Sequence, residues 1–199
     1  IAADGSGRPD SLLVANGSHF AGTVTPDGRA VVFQESASSR EGIRTLVFDS
    51  APASRVIIPG RFSESAPALS PDGKWLAYQS DETGQMEVYV RPYPGPGARV
   101  SVSLHGGTEP VWAHSGRELF FRSGDSLMTA AVTLAPSFAV SAQRLLFAGA
   151  YLGGGTYREY DVAPDDQHFV MISGGAGRST LIGLQHVFDR LLYDRSQQR

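Results

Sequence analysis

The chain has 199 residues, a formal net charge of −3, and 41% apolar against 19% charged residues, the balance of a folded globular chain rather than a disordered one. It contains no cysteine, which excludes disulfides, thiolate metal sites and a cysteine nucleophile. Its Lys and Arg form no cluster, so the electrostatic footprint of a nucleic-acid binder is missing.

No stretch approaches the roughly 18 uninterrupted apolar residues of a membrane span, and no basic-then-apolar leader opens the chain. The run Ile1-Ala2-Ala3-Asp4-Gly5-Ser6-Gly7 lacks a starting Met and reads as the beginning of a fragment or a processed product. Residues 10–15 (Asp-Ser-Leu-Leu-Val-Ala) are expected to form a strand with no partners of its own. Alternation and turn residues divide the rest into four units, approximately 16–60, 61–105, 106–150 and 151–184. The first is predicted to hold strands at 22–25, 30–34, 44–49 and 55–58. The second has 66–70, 75–80, 87–92 and 99–104, and the third 110–113, 118–122, 127–133 and 144–147. The fourth supplies only three, at 160–163, 168–172 and 179–184. Residues 185–194 then read as a helix, with Val187, Phe188, Leu191 and Leu192 on one face, and residues 195–199 as a tail.

One phrase punctuates each unit between its first two strands. It is Pro26-Asp27-Gly28, then Pro71-Asp72-Gly73, a worn His114-Ser115-Gly116, and Pro164-Asp165-Asp166. Pro presets φ, Asp tolerates the corner and Gly supplies a positive φ, which is turn chemistry. A recurrence every roughly 40–50 residues is the signature of a propeller blade. The fold expected is therefore all-β, a β-propeller of about four four-stranded antiparallel blades with a short C-terminal helix. Phe33, Trp75, Tyr78, Phe120, Phe121 and Phe169 follow the turns on the second strands and are expected to pack between blades. The orphan strand at 10–15 and the three-stranded last unit suggest closure by pairing of 12–15 with 179–184, within one chain or between two copies. A ring of six to eight blades, or two half-rings forming a homodimer, are the alternatives.

Chemistry is sparse. Asp27, Asp72 and Asp165 sit one per turn, too far apart to share a ligand. The five His (19, 105, 114, 168 and 186) show no metal-ligand spacing, no Gly-x-Ser-x-Gly elbow occurs, and Gly153-Gly154-Gly155 lacks the strand-then-helix context of a phosphate loop. No catalytic residue, metal or cofactor is expected. The binding candidates are Glu109 and Glu159, which occupy the same repeat position where the inner strand begins, with Glu64 slightly upstream, Arg158 adjacent, and His105 in the preceding loop. In a propeller these ring the mouth of the central channel, where Glu109 and Arg158 are expected at least to form an ion pair.

The repeats resemble the TolB-type, WD40-like Pro-Asp repeats of bacterial propellers. The stretches from Ser70 to Gly84 and from Glu87 to Gly97, with Gly106-Gly107-Thr108-Glu109-Pro110-Val111-Trp112, Gly116 to Arg122 and Tyr160 to Asp165, are most similar to the C-terminal propeller of bacterial eukaryotic-like serine/threonine kinases. The resemblance covers nearly the whole chain, although His114-Ser115 and Asp166 depart from the pattern, and no kinase motif is present. It implies a non-enzymatic sensing or protein-interaction module, extracytoplasmic or periplasmic, that takes a protein or peptide partner. An accessory or gating propeller of a hydrolase and a self-assembling structural module are the rival readings.

Overall fold

Four antiparallel sheets make up the part of the computed structural model that is described, namely residues 11–14, 16–37, 40–48, 53–155, 157–175 and 178–184. The first sheet runs β1 (Ser18–Val24), β2 (Ala30–Ala37), β3 (Arg40–Val47), β4 (Ala53–Ile58). The second runs β5 (Ser65–Leu69), β6 (Trp75–Ser80), β7 (Glu87–Pro92), β8 (Val100–Ser101). The third runs β9 (Thr108–Trp112), β10 (Glu118–Ser123), β11 (Ser126–Thr133), β12 (Ala139–Ala148). The fourth has three strands, β13 (Tyr160–Val162), β14 (Phe169–Gly175) and β15 (Arg178–Leu184). Each sheet is a meander of sequence neighbours, the expected β-propeller blade, and no helix occurs among the described residues. The helix predicted at 185–194 lies outside them.

The Pro-Asp-Gly turns join the first two strands of each blade as predicted. Asp27 Oδ1 accepts the Thr25 hydroxyl (2.6 Å) and the Arg29 N–H (3.0 Å), and Asp72 Oδ1 accepts the Ser70 hydroxyl (2.6 Å) and the Lys74 N–H (3.1 Å). The glycine that follows takes φ near +70° in both, a conformation costly for other residues. The third turn has no carboxylate of its own. Its acceptor is Asp166 of the fourth turn, which takes the His114 N–H at 2.6 Å and the Ser115 N–H at 2.9 Å. Asp166 stands where the other turns have Gly and itself sits at φ 59°, a region Asp tolerates better than most. The two departures from the repeat are thus the two ends of one interaction.

Three apolar layers hold the blades face to face. Val32, Ile43, Ile58, Leu76 and Tyr78 fill the first, Val88, Val90, Trp112, Leu119 and Phe121 the second, and Phe120, Leu127, Tyr160, Phe169 and Met171 the third. Because a middle strand is covered on both faces, its burial is continuous rather than alternating: Leu76 through Ser80 and Leu119 through Arg122 are all buried. The outer strand β12 is mostly exposed. Of the aromatics expected between blades, Phe33, Tyr78, Phe120, Phe121 and Phe169 are buried, whereas Trp75 is half-buried, with its indole N–H on Leu134 O (3.1 Å) and its ring on Phe138.

The closing strand is a correction. Residues 11–14 lie outside any strand, and Val14 is 90% exposed. The inner strand expected at 22–25 instead extends back to Ser18, where Ser18, His19 and Phe20 pair with Ser36, Glu35 and Gln34 of β2. That partner is reached through the short Pro26 turn, a far smaller loop to close than one to the last blade. Residues 10 and 15 lie outside the described residues, and among the described residues β15 pairs only with β14. The predicted outer strand at 99–104 shortens to Val100–Ser101, because Val102 turns inward and the Ser103 hydroxyl bonds to the buried Glu87.

Candidate functional site

The inner strands β1, β5, β9 and β13 border one central cavity of about 440 Å³. Three of them shift register where they approach it, β1 doing so between Ala21 and Thr23. β5 shifts register between Ser65 and Ala68, and β9 shifts opposite Phe120 and Arg122. At these bulges Ala66 (φ 50°) and Glu109 (φ 55°) adopt the left-handed region, which turns their N–H groups toward the preceding blade.

What receives those N–H groups repeats with the turns. Six residues after the last turn position come Gln34, Gln79, Arg122 and Ile172. Gln34 Oε1 accepts the Ala66 N–H (3.4 Å), and Gln79 Oε1 accepts the Glu109 N–H (2.8 Å). Gln79 also donates to the Ser65 hydroxyl (2.9 Å) and to Gly155 O (3.3 Å). At the third junction an arginine stands in this place and can accept nothing. The acceptor there is Glu109, whose Oε2 takes the Glu159 N–H at 2.8 Å and whose Oε1 takes the Gly154 N–H. Its backbone carbonyl accepts the Tyr160 hydroxyl (2.9 Å).

Glu109 is fully buried. Burial pushes its carboxyl above the ordinary carboxylate range, opposed by the Glu159 and Gly154 N–H groups and by the charge of Arg122. Gly153 lies between carboxylate and guanidinium: a Cβ there would sit 3.0 Å from Arg122 Nε and 3.1 Å from Glu109 Oε1. A side chain at 153 would therefore press on the pair, and glycine lets the 152–155 loop rest against it without displacement. The Tyr160 phenol is held well above its usual range, by burial first and the Glu109 charge second.

The predicted candidates therefore separate. Glu109 is structural and makes no ion pair with Arg158, contrary to the pairing expected. Arg158 borders the central cavity and pairs with Asp161 (3.5 Å) at an exposed position worth little. Glu159 meets Glu109 through its backbone, so the matching carboxylates do not converge as two acids. Glu64 is buried, accepts the Phe62 N–H (3.1 Å), and its carboxyl is raised by burial against that bond. His105 is exposed and lines a separate cleft between the second and third blades. Residues that belong to no motif do much of the organising: Gln79, Arg122, and Glu87, which holds the Gly106 N–H (2.9 Å) and the Ser103 hydroxyl; Asp166, marked in the sequence only as a departure from the turn phrase, joins them. Counting six positions from each turn would have aligned Gln34, Gln79 and Arg122. Among the described residues no group of three or more His, Asp or Glu could hold a metal ion.

No family model matches the chain. An uncharacterized protein of Agrobacterium fabrum is 29% identical over 122 residues, which span 61% of this chain and 41% of that protein. Among solved structures, TolB from Acinetobacter baumannii superposes with a TM-score of 0.65 at 16% identity, over 82% of this chain and 40% of that one. A chain of the nidogen/laminin complex gives 0.57 at 11% identity, over 79% and 57%. The likeness is one of fold, a TolB-like β-propeller, and this chain spans about half or less of the propeller-bearing chains it matches.

Proposed function

We propose that the chain is a non-enzymatic β-propeller binding module that holds a protein or peptide partner over the central cavity. On this reading it is the extracytoplasmic sensing or interaction region of a larger bacterial signalling protein, such as a serine/threonine kinase. The observation that carries the reading is the division of labour among the charged groups. Glu64, Glu87 and Glu109 are buried and committed to backbone N–H groups, whereas Arg158 remains partly exposed on the cavity bordered by all four inner strands. A buried carboxylate that already accepts two backbone N–H groups is poorly placed to exchange protons with a substrate. A rigid frame with an accessible cation and bulged, small inner-strand residues is suited to docking an extended, acidic segment. The agreement in fold with a chain of a nidogen/laminin complex is consistent with a propeller face used for partners.

Selection of a random peptide library on the purified chain tests the proposal. Enriched peptides should compete with one another, and Arg158→Ala should weaken them about tenfold by calorimetry, equivalent to about 1.4 kcal/mol. Failure to enrich any peptide, or binding indifferent to Arg158, would remove the cavity rim as the site. The kinase assignment carries its own check, since the reading frame around this segment should encode a kinase domain and a membrane helix.

A further inference from the structure

Blade four carries on its outward side the residues that the other blades bury against a successor. Four positions past each turn stand Val32, Ala77, Phe120 and Val170. Six past it come Gln34, Gln79, Arg122 and Ile172, which pair with Ile43, Val88, Leu127 and Leu181 on the third strands. In the first three blades Val32, Ile43, Ala77, Val88, Phe120 and Leu127 are fully buried, each in the apolar layer shared with the next blade. In blade four Val170 is 39% and Leu181 72% exposed. Ile172 has no polar side-chain atom with which to hold the backbone of a further blade, as Gln34, Gln79 and Arg122 do. With Arg158, Glu159 and Asp161 these residues line a shallow pocket of about 230 Å³. Gly183, beside Val170 in the ladder, has no atom within 4 Å of where a Cβ would stand.

An apolar sheet face calls for a second element to cover it. The inward face of blade four is filled by blade three, which leaves the outward one as the open side of the sheet. The sequence that continues from β15 has the character of a cover. Val187, Phe188, Leu191 and Leu192 recur at helical rather than strand spacing. As a helix, residues 185–194 would be about 15 Å long, within the roughly 23 Å of the seven-residue strands β14 and β15. A segment joined directly to Leu184 meets this face at a far higher effective concentration than a separate molecule does. Charge agrees: residues 185–199 hold three Arg against two Asp, while the rim of the face holds Arg158 against Glu159 and Asp161. We propose that the outward face of blade four is the docking surface of the chain's own segment 185–194, which packs on it as a helix with its apolar stripe on Val170, Ile172 and Leu181. Arg158 borders both this face and the central cavity, so the docked segment flanks the candidate binding site. The docking itself does not depend on what that site binds.

The chain has no cysteine, so Leu181→Cys places a single thiol on the face. Its reaction with dithiobis(nitrobenzoate) under native conditions should be at least about tenfold slower in the chain of residues 1–199 than in the same variant ending at Leu184. Phe188→Asp and Leu191→Asp, each made in the 1–199 chain, should both abolish that protection. Arg190→Ala, off the apolar stripe, should leave it in place. The point variants decide the matter if the shortened chain does not fold. A thiol that reacts equally fast with and without the segment, or with and without the Asp substitutions, overturns the proposal. Loss of protection in only one of Phe188→Asp and Leu191→Asp also overturns it. Positions three apart lie on opposite faces of a strand, so that result would mark a fourth strand on β15. Protection that rises with protein concentration assigns the face to a second copy and overturns the proposal as well.

Discussion

The first two blade junctions and the third solve the same problem with opposite chemistry. Between blades one and two, and again between two and three, a neutral glutamine accepts the N–H of a left-handed residue on the next inner strand. Between blades three and four the equivalent residue is Arg122, and a buried carboxylate, Glu109, accepts in its place. The turns diverge at the same junction: the first two are closed by their own Asp, whereas the third borrows Asp166 from the fourth. Divergence is thus concentrated where blades three and four meet, and it is polar, while a layer of buried apolar residues lies there as it does at the other two junctions. A repeat protein can alter one junction in this way because a blade packs mainly against its neighbours.

The claim that the packing at this junction is ordinary can be broken directly. Phe120 is fully buried and meets Phe169 edge-on at 5.0 Å, while Trp75 in the equivalent strand of blade two is only half-buried. Phe120→Ala should destabilise by about 3–5 kcal/mol. Trp75→Ala should cost less, about 2 kcal/mol, since less of its surface leaves water. Urea denaturation of both decides it, and a Phe120→Ala loss smaller than that of Trp75→Ala would mean the third junction is loose and its charges compensate for poor packing.

The fold was largely legible in the sequence because turn chemistry is local. The pairs at 75–80 and 87–92 have the predicted limits, since each is bounded by residues such as Pro71, Gly73 and Gly84 that end a strand by their own backbone preference. The site was much less legible. Glu109 and Glu159 stand at the same distance from their turns, yet that does not bring their side chains together: the Glu109 carboxylate is buried against the Glu159 backbone. Gln79 and Arg122 carry no local signal because their roles reach across about 30 residues, to the Glu109 N–H and to Tyr151 O, and nothing in the nearby pattern marks a side chain as a partner for so distant a backbone group. The stretch expected at 10–15 has a strand-like composition, yet its residues 11–14 pair with no strand among the described residues.

Removing the charged acceptor is the next strongest perturbation. Glu109→Ala leaves the Gly154 and Glu159 N–H groups and the Arg122 charge uncompensated and should cost about 2–4 kcal/mol, against about 1–3 for Gln79→Ala. The junctions should also differ in pH response. Burial raises the Glu109 carboxyl above its ordinary 4.5, so the folded chain binds that proton more tightly than the unfolded chain does. The contribution of this group is fully present below the unfolded value and is lost as pH rises through the raised folded value. The stability difference between wild type and Glu109→Gln should therefore move against the wild type as pH rises from about 4, whereas Gln79→Ala should show no such trend. A difference that moved in favour of the wild type would mean that the N–H groups and Arg122 outweigh burial.

The smallest effect tests whether the two worn turns are one device. Asp166 is lowered in pKa: burial acts to raise it, but the N–H groups of Ser115 and His114 outweigh that. Its support is accordingly present above the ordinary 3.8 and lost as pH falls through the lower folded value. Asp166→Gly relieves the left-handed φ but removes both acceptors, so the two changes partly cancel and the net loss should be about 0.5–1 kcal/mol. Ser115→Asp restores the repeat residue of the third turn but sets a second carboxylate beside Asp166, and alone it should cost a similar amount by like-charge repulsion, reduced by solvent screening. Combined, they return both turns to the Asp-Gly form of the first two blades. The double variant should recover to within about 0.3 kcal/mol of the wild type, a coupling that independent sites do not show. Its acid sensitivity should pass from Asp166 to the new Asp at 115. Additive losses in the double variant would show that the third and fourth turns decayed separately, and that the exchange of Asp166 across the junction is incidental to the fold.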